Sequence, residues 1–299
     1  MDGLHIVTVA TESKLYFPYL VESCKKNGKE LEVLGMGETW QGFNWRYTKI
    51  IEYLTTLPDN DIVCFVDGYD VLCCRNLQEL PYIFTQIREQ TGCKIVVANE
   101  IGSMFSYFFS NIYFDKNNNN YINSGTYIGY VFDLLEILPQ IYKLNPRNDA
   151  DDQILMQQYC QKNADIIYCD IENKLFLTLV YPLEEFSKYV TINNSSQLIT
   201  YNSENPFFIH AANNGFLNGI ITKLGYTIDD NAFKYEIFIN TVTKPIYYIK
   251  EFIIMHIMSV FLFLILLLTL YLVQYTVRIM RSKRIYPFWR HNRLITLYL

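Results

Sequence analysis

Short apolar runs alternate with amphipathic helical patterns from His5 to Cys169, and this alternation restricts the fold more than any other feature. The runs have the length and apolar content of buried strands, and the segments between them repeat apolar residues at helical spacing. Strands separated by helices predict βαβ units and a mixed, mostly parallel sheet flanked by helices, an α/β fold. The predicted strands are His5–Ala10, Glu30–Leu34, Ile62–Val66, Lys94–Ala98 and Ile166–Cys169, and the predicted helices are Leu15–Lys26, Arg46–Leu57, Leu77–Glu89 and Ala150–Gln161.

Composition and charge exclude several classes of protein. Residues 1–250 carry 19 Lys and Arg against 29 Asp and Glu, and such an acidic balance does not suit the phosphate backbone of a nucleic acid. Neither GxGxxG nor GxxxxGK[ST] occurs in the sequence, so the phosphate cradles of dinucleotide-binding and P-loop proteins are missing. The seven cysteines contain no CxxC pair, which favours buried, reduced thiols over a zinc site or a disulfide framework.

The stretch IVCFVDGYDVL, from Ile62 to Leu72, ends an apolar run in two carboxylates, Asp67 and Asp70. One interpretation is a simple turn, because Asp-Gly is a common turn dipeptide. The other is a metal site, since ligands bind at the carboxyl ends of strands in open α/β sheets. Carboxylate oxygens suit Mg²⁺ or Mn²⁺. Taken alone, the stretch is compatible with both interpretations.

Five other short motifs occur along the chain, two before this acidic stretch and three after it. A Gly-bounded loop carries Trp40 after the second strand, and an Asn-Ser-Gly tripeptide begins at Asn123. An acidic run starts the helix after Asp149, and a final apolar strand delivers His210 into an Asn/Gly loop. The motifs are LGMGETWQG, RYTKIIEYL, YINSGTYIGY, DADDQILMQQY and PFFIHAANNG.

In this order, the motifs resemble the glycosyltransferase domain of the procollagen lysyl hydroxylases and related collagen glycosyltransferases. The resemblance covers about residues 4–226, and LGMGETWQG, FVDGYDVL, INSGTYIGY and DDQ are specific in combination. It implies a GT-A fold, which is a Rossmann-like α/β arrangement, with a UDP-sugar as donor and Mn²⁺ as cofactor, or Mg²⁺ in its place. It also implies a protein or glycan acceptor of the collagen-like hydroxylysine type.

The resemblance assigns residues to three roles. As metal ligands it implies Asp67, Asp70 and His210. At the nucleotide and donor sugar it implies Val9, Thr11, Trp40, Lys49 and Tyr69. Near the sugar and the acceptor, the candidate catalytic residues are Asp151, Asp152 and Asn123.

The chemistry of sugar transfer suits these residue types. Departure of UDP builds negative charge on a phosphate oxygen, which a divalent cation neutralises. Lys49 would add a second positive charge near the phosphates, and Tyr69 can stack on uracil. Asp151 or Asp152 could hold sugar hydroxyls or act on the acceptor hydroxyl as a general base.

Each assignment has a structural alternative. Asp151 and Asp152 could simply cap the helix that follows, because acids favour helix N-termini. His210 could be an ordinary core histidine, Trp40 a core residue and Asn123 part of a turn. The sequence departs from the family after Gly215, where the family usually places a Lys a few residues on and this chain has Phe216-Leu217-Asn218.

We therefore expect residues 1–245 to be a metal-dependent glycosyltransferase domain that transfers a hexose, glucose or galactose, from a UDP-sugar to a hydroxyl. One alternative is a GT-A transferase acting on another glycan or a lipid-linked one. Another is an inactive membrane-bound sugar- or nucleotide-binding protein. The hydroxylase domain of the resembling family does not fit within these residues, so lysyl hydroxylation is not expected.

A charge-free apolar run extends from Phe252 to Val277, and six basic residues follow it within a tail at 278–299. A helix of that length exceeds the hydrocarbon thickness of a bilayer, which predicts a single membrane span. The positive-inside rule would place the tail in the cytoplasm and residues 1–250 across the membrane. The first ten residues do not have the pattern of a signal peptide, and on that ground we favour a cytosolic catalytic domain.

Overall fold

A computed structural model describes residues 3–102, 121–181, 184–193, 199–213, 215–228, 233–234, 238 and 257–292. The chain divides into two compact units, residues 1–241 and 242–299. The described strands of the first unit are Leu4–Val9 (β1), Leu31–Leu34 (β2), Ile62–Val66 (β3), Val71–Cys73 (β4), Ile95–Gly102 (β5), Ile122–Tyr130 (β6), Ile167–Asp170 (β7), Phe176–Val180 (β8), Thr191–Ile192 (β9), Ile199–Thr200 (β10) and Phe208–His210 (β11). Its described helices are Phe17–Lys26 (α1), Trp45–Leu54 (α2), Leu80–Thr91 (α3), Val131–Leu144 (α4), Asp152–Lys162 (α5) and Asn218–Lys223 (α6).

Nine of these strands form one mixed sheet in the order β2-β1-β3-β6-β5-β8-β11-β4, with β7 also paired to β5. The pairs of β1 with β2 and β3 are parallel, as are those of β5 with β7 and β8 and of β8 with β11. Strand β6 runs antiparallel to β3 and β5, and β4 runs antiparallel to β11. The predicted α/β class with a mostly parallel sheet is confirmed.

The sheet must curl, because β4 follows β3 along the chain after only a short turn, although the two strands lie far apart in the sheet order. Val66 ends β3 and Val71 begins β4, and five residue steps span at most about 17 Å. Five inter-strand spacings separate β3 from β4 in the sheet order, which in a flat sheet would amount to about 24 Å. The register of β5 shifts between Val97 and Ala98, an irregularity of the kind that bends a strand. The curl brings the end of β3 towards the edge strands β11 and β4.

Helices cover both faces of the sheet. Each helix packs on the sheet through apolar residues at helical spacing. Residues of α2, α4 and α5 pack with β1, β3, β5 and β6 in one buried cluster, which includes Ile50, Leu134 and Leu155. Residues of α1 and α3, including Leu20 and Phe84, pack on the other face in a second cluster. The acidic turn between β3 and β4 is therefore held on a scaffold with a core on each side.

Each predicted element has a counterpart in the structure, but strands β4, β8, β9 and β10 and helix α6 were not among the predicted elements. Strand β3 has the predicted bounds, and the predicted helix from Leu77 begins as a 3₁₀ turn before α3. Strand β6 and helix α4 had no counterpart in the predicted elements. The residues Asn123, Ser124 and Gly125 have low strand propensity, and they form a strand because neighbours on both sides bury them. All seven cysteines are buried, as expected.

The second unit contains the helix Ile257–Asn292 (α7). Its segment Phe261–Ile279 is long and apolar enough to span a membrane. The large apolar side chains described in this segment, such as Phe261, Leu264 and Leu268, are exposed. Residues 252–256 of the predicted span and 293–299 of the predicted tail lie outside the described residues.

We expect the full chain to remain in the membrane fraction after alkaline carbonate extraction, and the variant L264R/L268R to be extracted. Each Arg near the centre of a span costs about 2.5–3.5 kcal/mol of insertion free energy. The matched variant L264A/L268A should stay in the pellet. Equal extraction of the wild-type chain and L264R/L268R would contradict a membrane-spanning role for α7.

Candidate metal and donor site

The turn between β3 and β4 presents two carboxylates at the carboxyl end of a buried strand. All five residues of β3 are buried, and the chain then leaves the core through Asp67, Gly68, Tyr69 and Asp70. The backbone N–H of Asp67 donates to the carbonyl of Gly125 on the neighbouring β6, over 2.8 Å. This bond anchors the turn to the sheet and fixes the point at which the first carboxylate emerges.

The third member, His210, arrives from a different part of the chain on β11. Because β11 pairs antiparallel with β4, His210 lies opposite Val71, and the N–H of Ala211 donates to the carbonyl of Asp70 over 2.9 Å. The His210 Nε2 lies 3.2 Å from Asp70 Oδ1 and 3.7 Å from Asp67 Oδ2. One donor atom from each of Asp67, Asp70 and His210 falls within 4.8 Å of the others. The structure thus brings the three predicted metal ligands together.

The charges in this cluster influence one another strongly. Burial raises the pKa of Asp67, and the Arg46 guanidinium opposes that rise. Burial lowers the pKa of His210, but the nearby carboxylates, first Asp70 and then Asp67 and Glu100, together outweigh burial and leave the pKa above its ordinary value. The imidazole is only 3% exposed, and its Nδ1 has no hydrogen-bond partner in the described structure. His210 is therefore a buried histidine whose Nε2 edge faces acids.

Strand β6 passes close beside the three ligands, and it carries a glycine at the point of closest approach. A Cβ atom built on Gly125 would lie 2.5 Å from His210 Cε1 and 2.6 Å from Asp67 Oδ2. No side chain fits at those separations without displacing one of the two. The residue types and the grouping of their ligand atoms fit a small divalent cation bound between two carboxylates and an imidazole.

Arg46, which the sequence analysis did not single out, joins two of the predicted site residues. It lies at the start of α2, and its guanidinium forms ion pairs with Asp67 on one side and with Asp152 on the other. The side chain is 9% exposed. The signal was present in the sequence, since Arg46 lies four residues before Ile50 and eight before Leu54 on the buried face of α2. A charged residue on an apolar helix face requires a buried partner.

The two candidate acids at the start of α5 have different surroundings. Asp151 is the N-cap, and its Oδ1 accepts from the N–H of Ile154 over 3.1 Å. Asp152 is 5% exposed and is held by Arg46. The next residue, Gln153, accepts from the N–H of Ser124 over 2.7 Å, so α5 is docked on β6. Asp151 thus caps α5, whereas Asp152 belongs to the charged cluster.

We expect D151N to raise the melting temperature near neutral pH and to have little effect near pH 4. Burial, followed by the charge of Asp152, raises the pKa of Asp151 to about 6. A carboxyl with a higher pKa in the folded chain stabilises that chain at low pH, and the contribution is lost as pH rises through about 6. Asn caps a helix as well as Asp does, so the substitution removes the charge and keeps the cap.

The measurement for D151N is thermal unfolding between about pH 3 and pH 8 without added metal, a range that spans both the ordinary and the raised pKa of Asp151. D149N is the control, because Asp149 is exposed and an ion pair with Arg147 lowers its pKa. D149N should give no gain near neutral pH. A D151N curve that runs parallel to the wild-type curve over the whole range would contradict the raised pKa.

Asn123, the third catalytic candidate, is buried on β6 rather than in a turn. Its Oδ1 accepts from the N–H of Gly125 over 2.9 Å, and its Nδ2 donates to Glu100 Oε2 over 3.2 Å. Burial raises the pKa of Glu100. The Asn123 amide thus connects Gly125, beside the candidate metal ligands, to Glu100 on β5, a carboxylate that the sequence analysis also did not select.

A cavity of about 330 Å³ opens next to the acidic turn, at the carboxyl ends of β1 and β3. Four of the five predicted donor-binding residues line it, namely Val9, Thr11, Trp40 and Tyr69. The fifth, Lys49, does not line it: its Nζ lies 2.7 Å from Glu38 Oε1 and 5.4 Å from the centre of the Trp45 ring. The cations that do line the cavity are Lys14 and Arg46.

The cavity is held open by short-range contacts at its base. The Tyr69 hydroxyl accepts from the N–H of Thr11 over 3.1 Å, so the aromatic ring bridges the turn and the end of β1. Gly68 allows this approach, because a Cβ there would lie 3.0 Å from Thr8 Oγ1. Trp40 is 39% exposed at the rim, which identifies it as a surface residue rather than a core residue.

The mixed, mostly parallel sheet, the Asp–Asp–His cluster and the cavity beside it are the features expected of a GT-A glycosyltransferase. Residues 1–236 match the family model of the PLOD GT domain. The chain belongs to this family.

One curated relative is procollagen-lysine,2-oxoglutarate 5-dioxygenase of Drosophila melanogaster. It is 27% identical over 196 residues, which are 60% of this chain and 26% of that protein. The chain therefore corresponds to about a quarter of the length of this relative.

Similar solved structures include a glycosyltransferase involved in glycosylation of the major capsid of PBCV-1, with 14% identity, a TM-score of 0.42 and coverage of 70% of this chain and 94% of that chain. Mouse xyloside xylosyltransferase 1, apo form, has 10% identity and a TM-score of 0.42, with coverage of 70% of this chain and 97% of that chain. The galactosyltransferase LgtC, in complex with donor and acceptor sugar analogs, has 13% identity and a TM-score of 0.36, with coverage of 58% of this chain and 75% of that chain.

Proposed function

We propose that the chain transfers a hexose from a UDP-sugar to a hydroxyl group, with Mn²⁺ bound by Asp67, Asp70 and His210. The observation that carries this proposal is the convergence of these three side chains, two from the turn between β3 and β4 and one from β11, beside a cavity lined by Tyr69. Membership of the PLOD GT domain family supports the reaction class.

The arrangement of charges supports a bound cation. Asp67 and Asp152 share the guanidinium of Arg46, and Asp70 lies against His210, so three carboxylates meet one guanidinium and one imidazole. Metal–ligand distances of about 2.1 Å place opposite ligands about 4.2 Å apart, so atoms within 4.8 Å need only small movements. When bound, a divalent cation neutralises the charge that develops on the diphosphate as UDP leaves.

The cavity supports a nucleotide-sized donor. Its volume of about 330 Å³ lies in the range of small-molecule sites. Tyr69 and Trp40 offer aromatic surface for the uracil and the sugar, and Thr11 lies at the end of β1, where ligands of α/β sheets bind. Lys14 lines the same cavity and lies over the Tyr69 ring. We propose Lys14 as the cation nearest the diphosphate, a role for which the sequence analysis selected Lys49.

The acceptor side is proposed to include Asp152, Asn123 and Asp151. Asp152 is oriented by Arg46 and Asn123 by Glu100, so both present a defined polar edge to a sugar hydroxyl. The name of the Drosophila relative refers to procollagen lysine, which supports a collagen-like hydroxylysine or its attached sugar as acceptor. We also propose membrane anchoring through α7, with the catalytic domain in the cytosol.

The test is to incubate the purified chain in detergent with a panel of UDP-sugars and Mn²⁺, and to measure UDP release with and without a hydroxylysine peptide. Release that depends on one UDP-hexose and on Mn²⁺ supports a transferase. Binding of UDP without release in any combination would favour the alternative, an inactive nucleotide-binding protein. Absence of both binding and release would contradict the proposal.

We expect Y69A to weaken UDP binding in the presence of Mn²⁺ about tenfold or more, because loss of one aromatic stacking contact costs roughly 1–3 kcal/mol. K14A should weaken UDP binding as well. K49A should have a smaller effect than K14A. Each lysine is paired with a glutamate, Lys14 with Glu12 and Lys49 with Glu38, but only Lys14 lines the cavity. Calorimetric titration with UDP measures all three. A larger loss for K49A than for K14A would show that the sequence-based assignment was the better one.

A further inference from the structure

The guanidinium of Arg46 is a planar fork that holds two carboxylates from different elements. Its Nη1 pairs with Asp67 Oδ1 and its Nη2 with Asp152 Oδ2. The rings of Phe43 and Phe65 lie 5.6 Å from it, so the fork is confined on several sides. A group this well confined positions its partners as well as neutralising them.

Because the Arg46 guanidinium occupies one oxygen of Asp67, the carboxylate has one oxygen left for a metal. Oδ1 is occupied by Arg46, whereas Oδ2 is the atom that faces His210, at 3.7 Å. Oδ2 also borders the space that a Cβ on Gly125 would fill, at 2.6 Å. The two oxygens of the same carboxylate are therefore divided between the protein scaffold and the proposed metal position.

We propose that Arg46 restricts Asp67 to a single metal-binding oxygen and thereby makes the site prefer Mn²⁺ and Mg²⁺ over Ca²⁺. This inference rests on the proposed metal site. Mg²⁺ demands compact octahedral coordination with about 2.1 Å ligand distances, whereas Ca²⁺ takes six to eight oxygens and often binds a carboxylate through both. A carboxylate that cannot become bidentate disfavours the larger ion. Arg46 is thus a positioning residue that sets metal selectivity.

The geometry of the fork, rather than its charge, carries this effect. A Lys at position 46 would keep the positive charge but offers a single ammonium group on a flexible stem, which cannot hold Asp67 and Asp152 in one plane. The variant R46K therefore separates the positioning role from simple charge neutralisation.

The experiment measures Mn²⁺ binding to the full chain in detergent by electron paramagnetic resonance of free Mn²⁺, and then displacement of Mn²⁺ by Ca²⁺. Outer-shell partners of metal ligands typically contribute 10- to 100-fold in affinity. In R46K we expect Mn²⁺ affinity to fall by about that factor and Ca²⁺ affinity to fall less, so that the preference for Mn²⁺ drops about tenfold. The control R88K makes the same change in the Arg88–Asp133 ion pair, and it should leave the metal preference unchanged.

A second variant covers the case in which R46K does not fold. R46Q/D152N removes one positive and one negative charge together and also frees Asp67 Oδ1, so it should show the same loss of preference. D152N alone keeps Arg46 on Asp67 and should retain the wild-type preference. Equal losses for both ions, or an unchanged preference in the variants of Arg46, would overturn the inference while leaving the proposed function intact. A wild-type chain that binds no Mn²⁺ would overturn both.

Discussion

In D70N, we expect Mn²⁺ binding and UDP release to fall by orders of magnitude, while the fold without metal remains as stable as wild type or becomes slightly more stable. Asp70 and Asp67 both lie within reach of His210 Nε2, and two carboxylates held close together repel one another without a cation. The substitution removes one of these charges with almost no change of shape. It also removes a ligand that the proposed chemistry requires. H210A should lose activity in the same way.

The matched control for D70N is D61N. Asp61 also pairs with a histidine, since its Oδ2 lies 2.9 Å from His5 Nε2, but it precedes β3 instead of following it. D61N should leave Mn²⁺ binding and UDP release unchanged. Melting temperatures with and without Mn²⁺, measured beside UDP release, distinguish the variants. A Mn²⁺-induced rise in melting temperature that persists undiminished in D70N would contradict the metal site.

The turn interpretation of Asp67 predicts a different result. In that case D67N would lose a local hydrogen bond worth roughly 1 kcal/mol and would keep its activity. The structure favours the other outcome, because the Asp67 side chain is directed to Arg46 and towards His210.

The variant G125A is expected to abolish Mn²⁺ binding even though every proposed ligand remains. Its Cβ would lie 2.5 Å from His210 Cε1 and 2.6 Å from Asp67 Oδ2, so one of the two ligands must move. It would also crowd Asn123 Oδ1, at 2.9 Å. A shift of this size at a metal ligand exceeds what coordination geometry tolerates. Isothermal titration with Mn²⁺ measures the effect directly.

The same substitution four residues along β6 is the control. In G129A the new Cβ would meet the core residues Ile95, at 2.8 Å, and Leu134, at 3.1 Å. Overpacking of this kind costs about 1–3 kcal/mol of stability, but it is remote from the three ligands. We expect G129A to melt at a lower temperature and to bind Mn²⁺ as wild type does. Mn²⁺ binding by G125A at wild-type affinity would be evidence against a cation in this space.

The strand before the acids was predictable because its signal is local. The apolar run that became β3 is buried along its full length, so its pattern and its bounds agree. Strand β6 was missed for the converse reason. Asn123, Ser124 and Gly125 read as loop residues in isolation, and they lie in a strand because the rest of β6 pairs with β3 and β5. Asn123 lies opposite Ala98 of β5, and the carbonyl of Gly125 accepts from the N–H of Asp67.

The candidate site shows the same division between local and distant information. Asp67 and Asp70 were identified from a strand end, and His210 from the order of motifs. Arg46 carried a signal that was not used, namely a charge on the apolar face of α2. The direction of Lys49 towards Glu38, rather than into the cavity, depends on side-chain contacts that no spacing in the sequence encodes.

The alternation of strands and helices, the acidic turn and the apolar helix near the end of the chain are properties of the sequence, because each depends on neighbouring residues. The meeting of Asp67, Asp70 and His210 depends on the tertiary structure. Asp70 and His210 are far apart in the chain and become neighbours only when β4 pairs with β11. That pairing requires the sheet to curl, so that the short turn after β3 can reach the edge of the sheet formed by β11 and β4. Packing of the whole sheet brings together side chains that are distant in sequence. The free energy of that packing depends on contacts between distant segments, so no local sequence pattern predicts it.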